Sequence, residues 1–405
     1  MSPQAPLQAS EPASARRNIV ALTMAAALGS ASPPILISLG GLVGQRLASD
    51  PAMATLPVSL FNLGLALGTL PAAYLMRRYG RRSAYVFGAC FGIVSGLIAA
   101  FGVISAVFAV FCAGATLAGF YAAYVQSYRF AAADGVEGPM KAKAISWVML
   151  GGLAAAIIGP QLVIHTRDSI PDAPFAGAFF SQAALALLAI PVLLMLRTPK
   201  PAAMGAGAAE GGRGLGELLS SPRYLLAVAT GIVSYGLMTF VMTAAPMAMV
   251  GHGHSVDHAA QGIQWHVLAM FAPSFVTGRL IARFGAERVA AVGLVVTALS
   301  GAVALGGMDL GHFWVSLILL GVGWNFGFIG ASAMVAAAHS PAERGKAQGL
   351  NDFLVFGVVA AASFFSGALL NASGWRMINW LIFPAVALIL APLVWRTARR
   401  PQAQV

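Results

Sequence analysis

The sequence predicts an all-α membrane protein of twelve transmembrane helices in two pseudo-symmetric six-helix bundles. Three observations carry that expectation. Only 9% of the 405 residues are charged and 59% are hydrophobic, whereas a water-soluble domain carries roughly 25% charged residues. The apolar residues gather into twelve runs, each near the ~20 residues that cross a bilayer core. The basic residues fall on alternate loops between those runs.

The runs follow in order. The first, 18–40, starts after Arg16-Arg17 and contains Pro33-Pro34. The second, 53–76, ends at the basic segment Arg77 to Arg82. Runs 84–104 and 107–128 are parted only by a few residues around Ser105. Run 144–165 follows Lys141 and Lys143, and run 176–196 ends at Arg197. The second half supplies 224–249, 260–281, 289–307, 313–337, 348–370 and 377–395. With the amino terminus inside, 21 of the 24 basic residues become cytoplasmic and only Arg46, Arg167 and Arg376 lie outside. That bias follows the positive-inside rule. The net charge of +11 therefore reports topology and not a nucleic-acid partner. The expected location is a bacterial inner membrane, multi-pass, with both termini cytoplasmic and the lipid bilayer as solvent.

Residues 1–15, rich in Ala, Pro and Ser, read as a disordered cytoplasmic tail. Arg16-Arg17 before an apolar stretch and Ser30-Ala31-Ser32 also admits a twin-arginine signal, but its removal would break the charge alternation. Residues 16–197 read as one six-helix bundle and 223–396 as the second, with 397–405 as a tail. Between the bundles, residues 198–222 are Gly/Ala-rich and read as a flexible cytoplasmic linker. The halves echo each other. Leu75, Arg78, Tyr79 and Gly80 superpose on Leu280, Arg283, Phe284 and Gly285 at an offset of 205, about half the chain. Internal repeats of this kind are common in transporters, with the substrate near the midplane between them.

Polar residues inside the runs are the candidates for function, because lipid leaves them needing partners or water. They are Asn62, Ser234, Tyr235, Gln264, His266, Trp324, Asn325 and Asn351. Tyr121, Tyr124 and Tyr128 recur on one helical face, which would either line a cavity and stack on an aromatic ligand or form an interfacial belt. Arg129 with Asp134 reads as a loop ion pair. Asp352 is the one acid inside a run. It reads as a cytoplasmic gate partner for an arginine, a proton-coupling carboxylate, or an interfacial acid at a helix start. Gly64/Gly68, Gly88/Gly92 and Gly323/Gly327 have the spacing of helix packing devices. Pro33-Pro34, Pro160, Pro246 and Pro273 are expected to interrupt helices one, five, seven and eight.

Other chemistry finds little footing. His252, His254, His258 and His266 lack a nearby cysteine, and no metal site is expected. Cys90 and Cys112 give no disulfide framework. The chain carries no G-x-x-x-x-G-K-[ST] loop, so transport energy must come from a gradient. A membrane-embedded enzyme would want clustered acids. A non-transporting sensor on the same scaffold is the remaining alternative.

The loop Ala73 to Arg82 resembles the signature of the major facilitator superfamily, roughly G-x-x-x-D-R-x-G-R-R. Arg77, Arg78, Gly80, Arg81 and Arg82 stand on that pattern, with Gly278, Arg283 and Gly285 in the second copy. Ala73 and Arg77 depart from it, replacing its first glycine and its acid. Gly151-Gly152 and Gly159-Pro160 resemble a degraded antiporter motif, whose trailing glycine pair is replaced by Val163-Ile164. Glu343 to Gly349 is also similar to the family. The resemblance implies a secondary transporter moving a small organic solute by alternating access, coupled to protons, monomeric, without cofactor, and not an enzyme. It implies that Arg77, Arg78, Gly80, Arg81, Arg82, Arg283, Gly285 and Asp352 form a cytoplasmic latch, with Arg77 and Asp352 as a swapped pair. Gly151, Gly159, Pro160, Gly323 and Gly327 serve packing. The strings Tyr128 to Asp134 and Gly349 to Phe353 resemble a bacterial branch that includes proposed riboflavin importers. The degraded motif leans toward export and the branch toward uptake.

Overall fold

The computed structural model describes residues 12–134, 136, 139–197, 213–340 and 343–399. Residues 1–11 of the expected tail 1–15, most of the linker (198–212) and the end 400–405 lie outside them, while residues 12–15, expected in the tail, are helical.

Among the described residues the chain is helical, and its helices assemble into twelve spans. Helices α1 (Pro12–Gly29) and α2 (Ser32–Leu47) make the first span. A 3-10 turn (Pro51–Met53) leads into α3 (Leu56–Tyr79), followed by α4 (Arg81–Ile104) and α5 (Phe108–Gln126), which continues as the short α6 (Tyr128–Asp134). Helices α7 (Pro139–Thr166) and α8 (Ala176–Leu194) complete the first bundle. After the short α9 (Leu215–Leu219), the second bundle holds α10 (Pro222–Gly251), α11 (Val256–Phe271), α12 (Ser274–Phe284), α13 (Ala286–Gly306) and α14 (Leu310–Ala336). It ends with α15 (Arg344–Trp380) and α16 (Ile382–Arg399). Among the described residues eleven segments are long and apolar enough to cross a membrane, the last of them 52 residues. Gly374, at φ 76° and ψ 177°, breaks that last segment into two spans.

Two expected proline interruptions are real and two are not. The first span breaks at Ser30–Ala31, before Pro33-Pro34, and the eighth at Ala272–Pro273. Helices α7 and α10 run through Pro160 and Pro246 unbroken. A membrane helix keeps its course past proline when neighbouring turns absorb the lost hydrogen bond.

The two bundles repeat the same packing. Helix α4 packs on α5 and α8, and α13 packs on α14 and α16. Helix α1 packs on α7, and α10 on α15. Small residues set these distances. Gly64 and Gly119 let α3 and α5 meet backbone to backbone, and Gly323 and Gly327 do the same for α14 against Gly293 and Thr297 of α13. Gly151 faces the Thr23 carbonyl, and Gly159 faces that of Ala31. Without a hydrophobic driving force between helices in lipid, such close packing supplies the association energy.

The repeat extends to backbone angles. Gly80 turns α3 into α4 at φ 81° and ψ 160°, and Gly285 turns α12 into α13 at φ 87° and ψ 151°. The preceding pairs match as well: the Arg78 guanidinium lies 5.8 Å from the Tyr79 ring centre and that of Arg283 5.2 Å from Phe284. Only glycine occupies this backbone region comfortably.

The end of the linker is pinned to the second bundle. Arg213 meets Glu343 through Nε at 2.9 Å, Nη2 at 3.0 Å and its backbone N–H at 2.8 Å. Ser340 N–H adds a fourth bond at 2.9 Å. The Arg213 guanidinium, helped by these two N–H groups, holds the Glu343 carboxyl well below the ordinary carboxylate range. Leu218 of α9 is fully buried in the second bundle's core.

Gly80→Ala and Gly285→Ala are each expected to cost about 1–3 kcal/mol, read as a lowered Tm of the detergent-solubilised protein. Glu343 has a depressed folded pKa, so its contribution is full above the unfolded value near ~4.3 and disappears as pH falls through the folded one. The Tm advantage of wild type over Glu343→Gln is therefore expected to hold at neutral pH and to shrink progressively below pH ~4.3. A constant advantage down to pH ~2 would contradict it.

Candidate functional site

The bundles are joined at the end of the molecule away from Pro12 and Arg399. Arg167, after α7, pairs with Asp257 of α11 at 2.8 Å. Thr55 Oγ1 donates to the Phe364 carbonyl at 3.0 Å, and Asn371 Nδ2 donates to that of Pro51 at 2.8 Å. Gln161 Nε2 donates to Gln264 Oε1 at 2.9 Å. Gly41 of α2 lies against Met247 of α10, and Gly367 of α15 against Thr55. Met247 and Ala260 of the second bundle belong to the same buried cluster as Ile35, Leu39 and Phe61 of the first. At the opposite end, which carries the start of α1, the end of α16 and most of the arginines, Gln126, Arg129 and Asp352 are exposed.

Between the bundles, beneath the joined end, lies a cavity of ≈ 170 Å³. Ser30, Asn62 and Gln126 reach it from the first bundle, and Tyr235 and Thr239 from the second. Phe61 and Phe271 add aromatic walls, and Met238, Met242 and Met270 a polarizable floor. Both helix breaks border it: Ser30 sits in one and Phe271 ends the helix before the other. Asn62 uses Nδ2 to bond the Val58 carbonyl at 3.1 Å. The Thr239 hydroxyl is buried without a partner. Tyr235 centres an aromatic cluster, with ring centres 5.4 Å from Trp324, 5.0 Å from Phe328 and 5.8 Å from Phe356.

The structure distributes the candidates from the sequence unevenly. Asn62 lines the cavity. Trp324 stands one layer behind, against Tyr235 and Phe271. Tyr121 and Tyr124 do not line the cavity: they are buried against Gly92 and Gly88 of α4, and Tyr128 packs edge-on to Tyr85 at 4.7 Å. The aromatic face of α5 thus fills the first bundle, while Ala122, Val125 and Gln126 on another face meet the cavity. His266 is fully buried, its Nδ1 2.7 Å from the Leu317 carbonyl, away from the cavity. His252 and His254 each spend a ring nitrogen on a backbone carbonyl. Among the described residues no cluster fit for a metal is found.

Asn325 repairs a break and does not meet the cavity. Its Nδ2 donates to the Met270 carbonyl at 2.6 Å and to Ser274 Oγ at 2.7 Å, and its Oδ1 accepts from Thr277 Oγ1 at 2.6 Å. These groups flank Pro273, which cannot donate a backbone N–H.

The expected pair of Arg77 and Asp352 is not formed. Arg77 is exposed and joins no ion pair among the described residues. Asp352 accepts from Asn351 Nδ2 at 3.0 Å and feels the charge of Arg129 across the gap. Arg129 in turn interacts electrostatically with Asp352 and Tyr235. Asp134, its expected loop partner, has a side chain outside the described residues. The sequence reads Arg129 only as a member of that loop pair, whereas its charge also faces Asp352 and Tyr235. Its spacing of three from Gln126, on the cavity-facing side of the α5–α6 segment, was the available signal. Arg81 bonds Tyr85 within the first bundle at 3.1 Å.

The Major Facilitator Superfamily sequence model matches residues 18–272 and 233–405. Over 382 residues the chain is 69% identical to the riboflavin transporter RfnT of Brucella anthropi, covering 94% of this chain and 96% of that one. It is 30% identical to the uncharacterized MFS-type transporter YdeG of Bacillus subtilis, over 95% of this chain and 93% of the other. In three dimensions it is similar to the nucleoside transporter NupG, with a TM-score of 0.72 at 15% identity, over 93% of this chain and 99% of that one.

Asn325→Leu would remove three hydrogen bonds at the break, to the Met270 carbonyl, Ser274 and Thr277, and leave the Met270 carbonyl without its side-chain donor, at a total cost of about 1–3 kcal/mol. The expected outcome is a marked fall in Tm, whereas Gln126→Leu, whose amide faces the cavity, should leave Tm within error. Equal losses in both would contradict this division of roles.

Proposed function

The chain belongs to the major facilitator superfamily, and from that premise we propose that it carries riboflavin into the cell across the bacterial inner membrane. That it is a multi-pass membrane transporter and not an enzyme follows from family and fold. The observation that carries the substrate is the near-full-length identity with the riboflavin transporter of Brucella anthropi. The cavity supports it chemically. A flavin is a flat ring system with an imide edge. Tyr235, Phe61 and Phe271 offer aromatic faces for the ring, and the Gln126 and Asn62 amides offer donor and acceptor for the imide. Uptake is favoured over export by the resemblance of Tyr128 to Asp134 and Gly349 to Phe353 to the branch of proposed riboflavin importers.

The basic end faces the cytoplasm in this proposal, since Lys and Arg concentrate there. The cavity then belongs to an inward-facing arrangement, with the joined end periplasmic. The chain works as a monomer of two rocking bundles divided at the linker 198–222. As the bundles rock, the Arg167–Asp257 pair parts, and Arg129 closes on Asp352 to shut the cytoplasmic mouth. Arg77, Arg78, Arg81 and Arg82 with Gly80, and Arg283 with Gly285, shape the loops around that mouth. Protons entering with the solute supply the driving force.

Expression in a riboflavin-auxotrophic bacterium should restore growth at low external riboflavin, and labelled riboflavin should accumulate in right-side-out vesicles when the outside is acid. Gln126→Leu is expected to raise KM about tenfold with little change in Vmax, as loss of one hydrogen bond to the solute would. Asp352→Arg and Arg129→Asp should each reduce transport strongly, and the double exchange should recover much of it. No accumulation of riboflavin under either gradient sinks the substrate assignment. No recovery in the double exchange sinks the gate.

A further inference from the structure

A second cavity, of ≈ 370 Å³, lies at the basic end on the outer side of the first bundle. It is lined by Arg16, Arg17, Val20, Ala21 and Met24 of α1 and by Met195 after α8. The transport cavity shares no residue with it. Arg16, Arg17, Val20 and Met24 are spaced by three, four and seven or eight residues, so they stack along one side of the helix. The two arginines stand in the second turn of α1, and the apolar side chains follow one and two turns deeper.

The polar top of this groove is charged and incomplete. Nε and Nη2 of Arg17 are shielded from solvent and have no hydrogen-bond partner. Neither Arg16 nor Arg17 belongs to an ion pair among the described residues, and the first turn of α1 contains no acid. A guanidinium presents its donors in a fork that fits two oxygens of a phosphate. Buried donors without partners in a native protein call for a ligand or water. The lower groove is apolar and open: Val20 is 53%, Met24 51% and Met195 55% exposed. At the depth of a membrane span, that exposure is to acyl chains. Asn18 braces the floor, exchanging two hydrogen bonds with the Arg197 backbone at 2.8 and 3.0 Å and so fixing α1 to the end of α8.

We propose that this groove holds one anionic phospholipid of the leaflet bordering the basic end. Its phosphodiester lies against the Arg16 and Arg17 guanidinium groups, and one acyl chain follows Val20, Met24 and Met195. Charge complementarity at the top and an apolar track below select a lipid over a free anion. The bound lipid neutralises the entrance of the first span and ties it to the sixth.

Native mass spectrometry of the purified full-length protein is the test, with thermal melting as second readout. The probes are phosphatidylglycerol, phosphatidylcholine and inorganic phosphate. Wild type should retain one phosphatidylglycerol through delipidation and show a raised Tm with it. Phosphatidylcholine and inorganic phosphate should do neither. Arg16→Gln/Arg17→Gln should lose that lipid. Arg17→Lys keeps the charge and the topology signal but loses the fork, and should weaken retention about tenfold. Val20→Asn should weaken it while leaving the arginines in place. Equal retention of phosphatidylcholine, an equal Tm rise with inorganic phosphate, or undiminished retention by Arg17→Lys would each overturn the proposal.

Discussion

A backbone in hydrocarbon must satisfy its own hydrogen bonds, and the architecture follows from that. Helices meet the requirement residue by residue, so each of the twelve spans forms from its own sequence. Where a span departs from the helix, the structure has to spend a polar side chain on the exposed groups. Asn325 is that expense for the break at Pro273: it reaches from α14 to Met270, Ser274 and Thr277. The repair lets the eighth span bend beside the cavity without leaving its carbonyls to lipid.

The same economy explains where the bundles touch. Inside each bundle, glycines bring backbones together and association rests on packing. Between bundles, the joined end adds a few directional contacts to the shared apolar cluster: one ion pair, three side-chain hydrogen bonds and the glycine approaches at Gly41 and Gly367. The polar part of this layer can exchange its bonds for bonds to water, which the apolar part cannot. The opposite end presents charged groups across a gap. The protein is therefore stiff within bundles and changeable between them, which is the mechanical condition for alternating access.

Much of the fold was legible in the sequence. Span count and the duplicated loop were readable because hydrocarbon thickness and a glycine-only turn both act locally. Gly80 and Gly285 share a backbone conformation that sequence spacing alone had paired. The breaks were half legible. Proline marks where a helix is permitted to break, but Pro160 and Pro246 show that neighbours decide whether it does. The candidate site was legible only in part. Asn62 reached the cavity, while Tyr121, Tyr124, His266 and Asn325 went to packing and repair.

The sequence by itself determined that this chain is a duplicated twelve-span membrane protein, since periodic apolarity and arginine placement answer to the bilayer and not to any particular neighbour. Only the tertiary structure decided which polar groups face the central cavity. Tyr121 and Gln126 are five residues apart and so point roughly 140° from each other. Which of the two turns inward depends on how α5 is rotated, and that is set by Gly64, Gly88 and Gly92 on the adjoining helices. Rotation of a helix about its own axis costs nothing in lipid until its neighbours are in place.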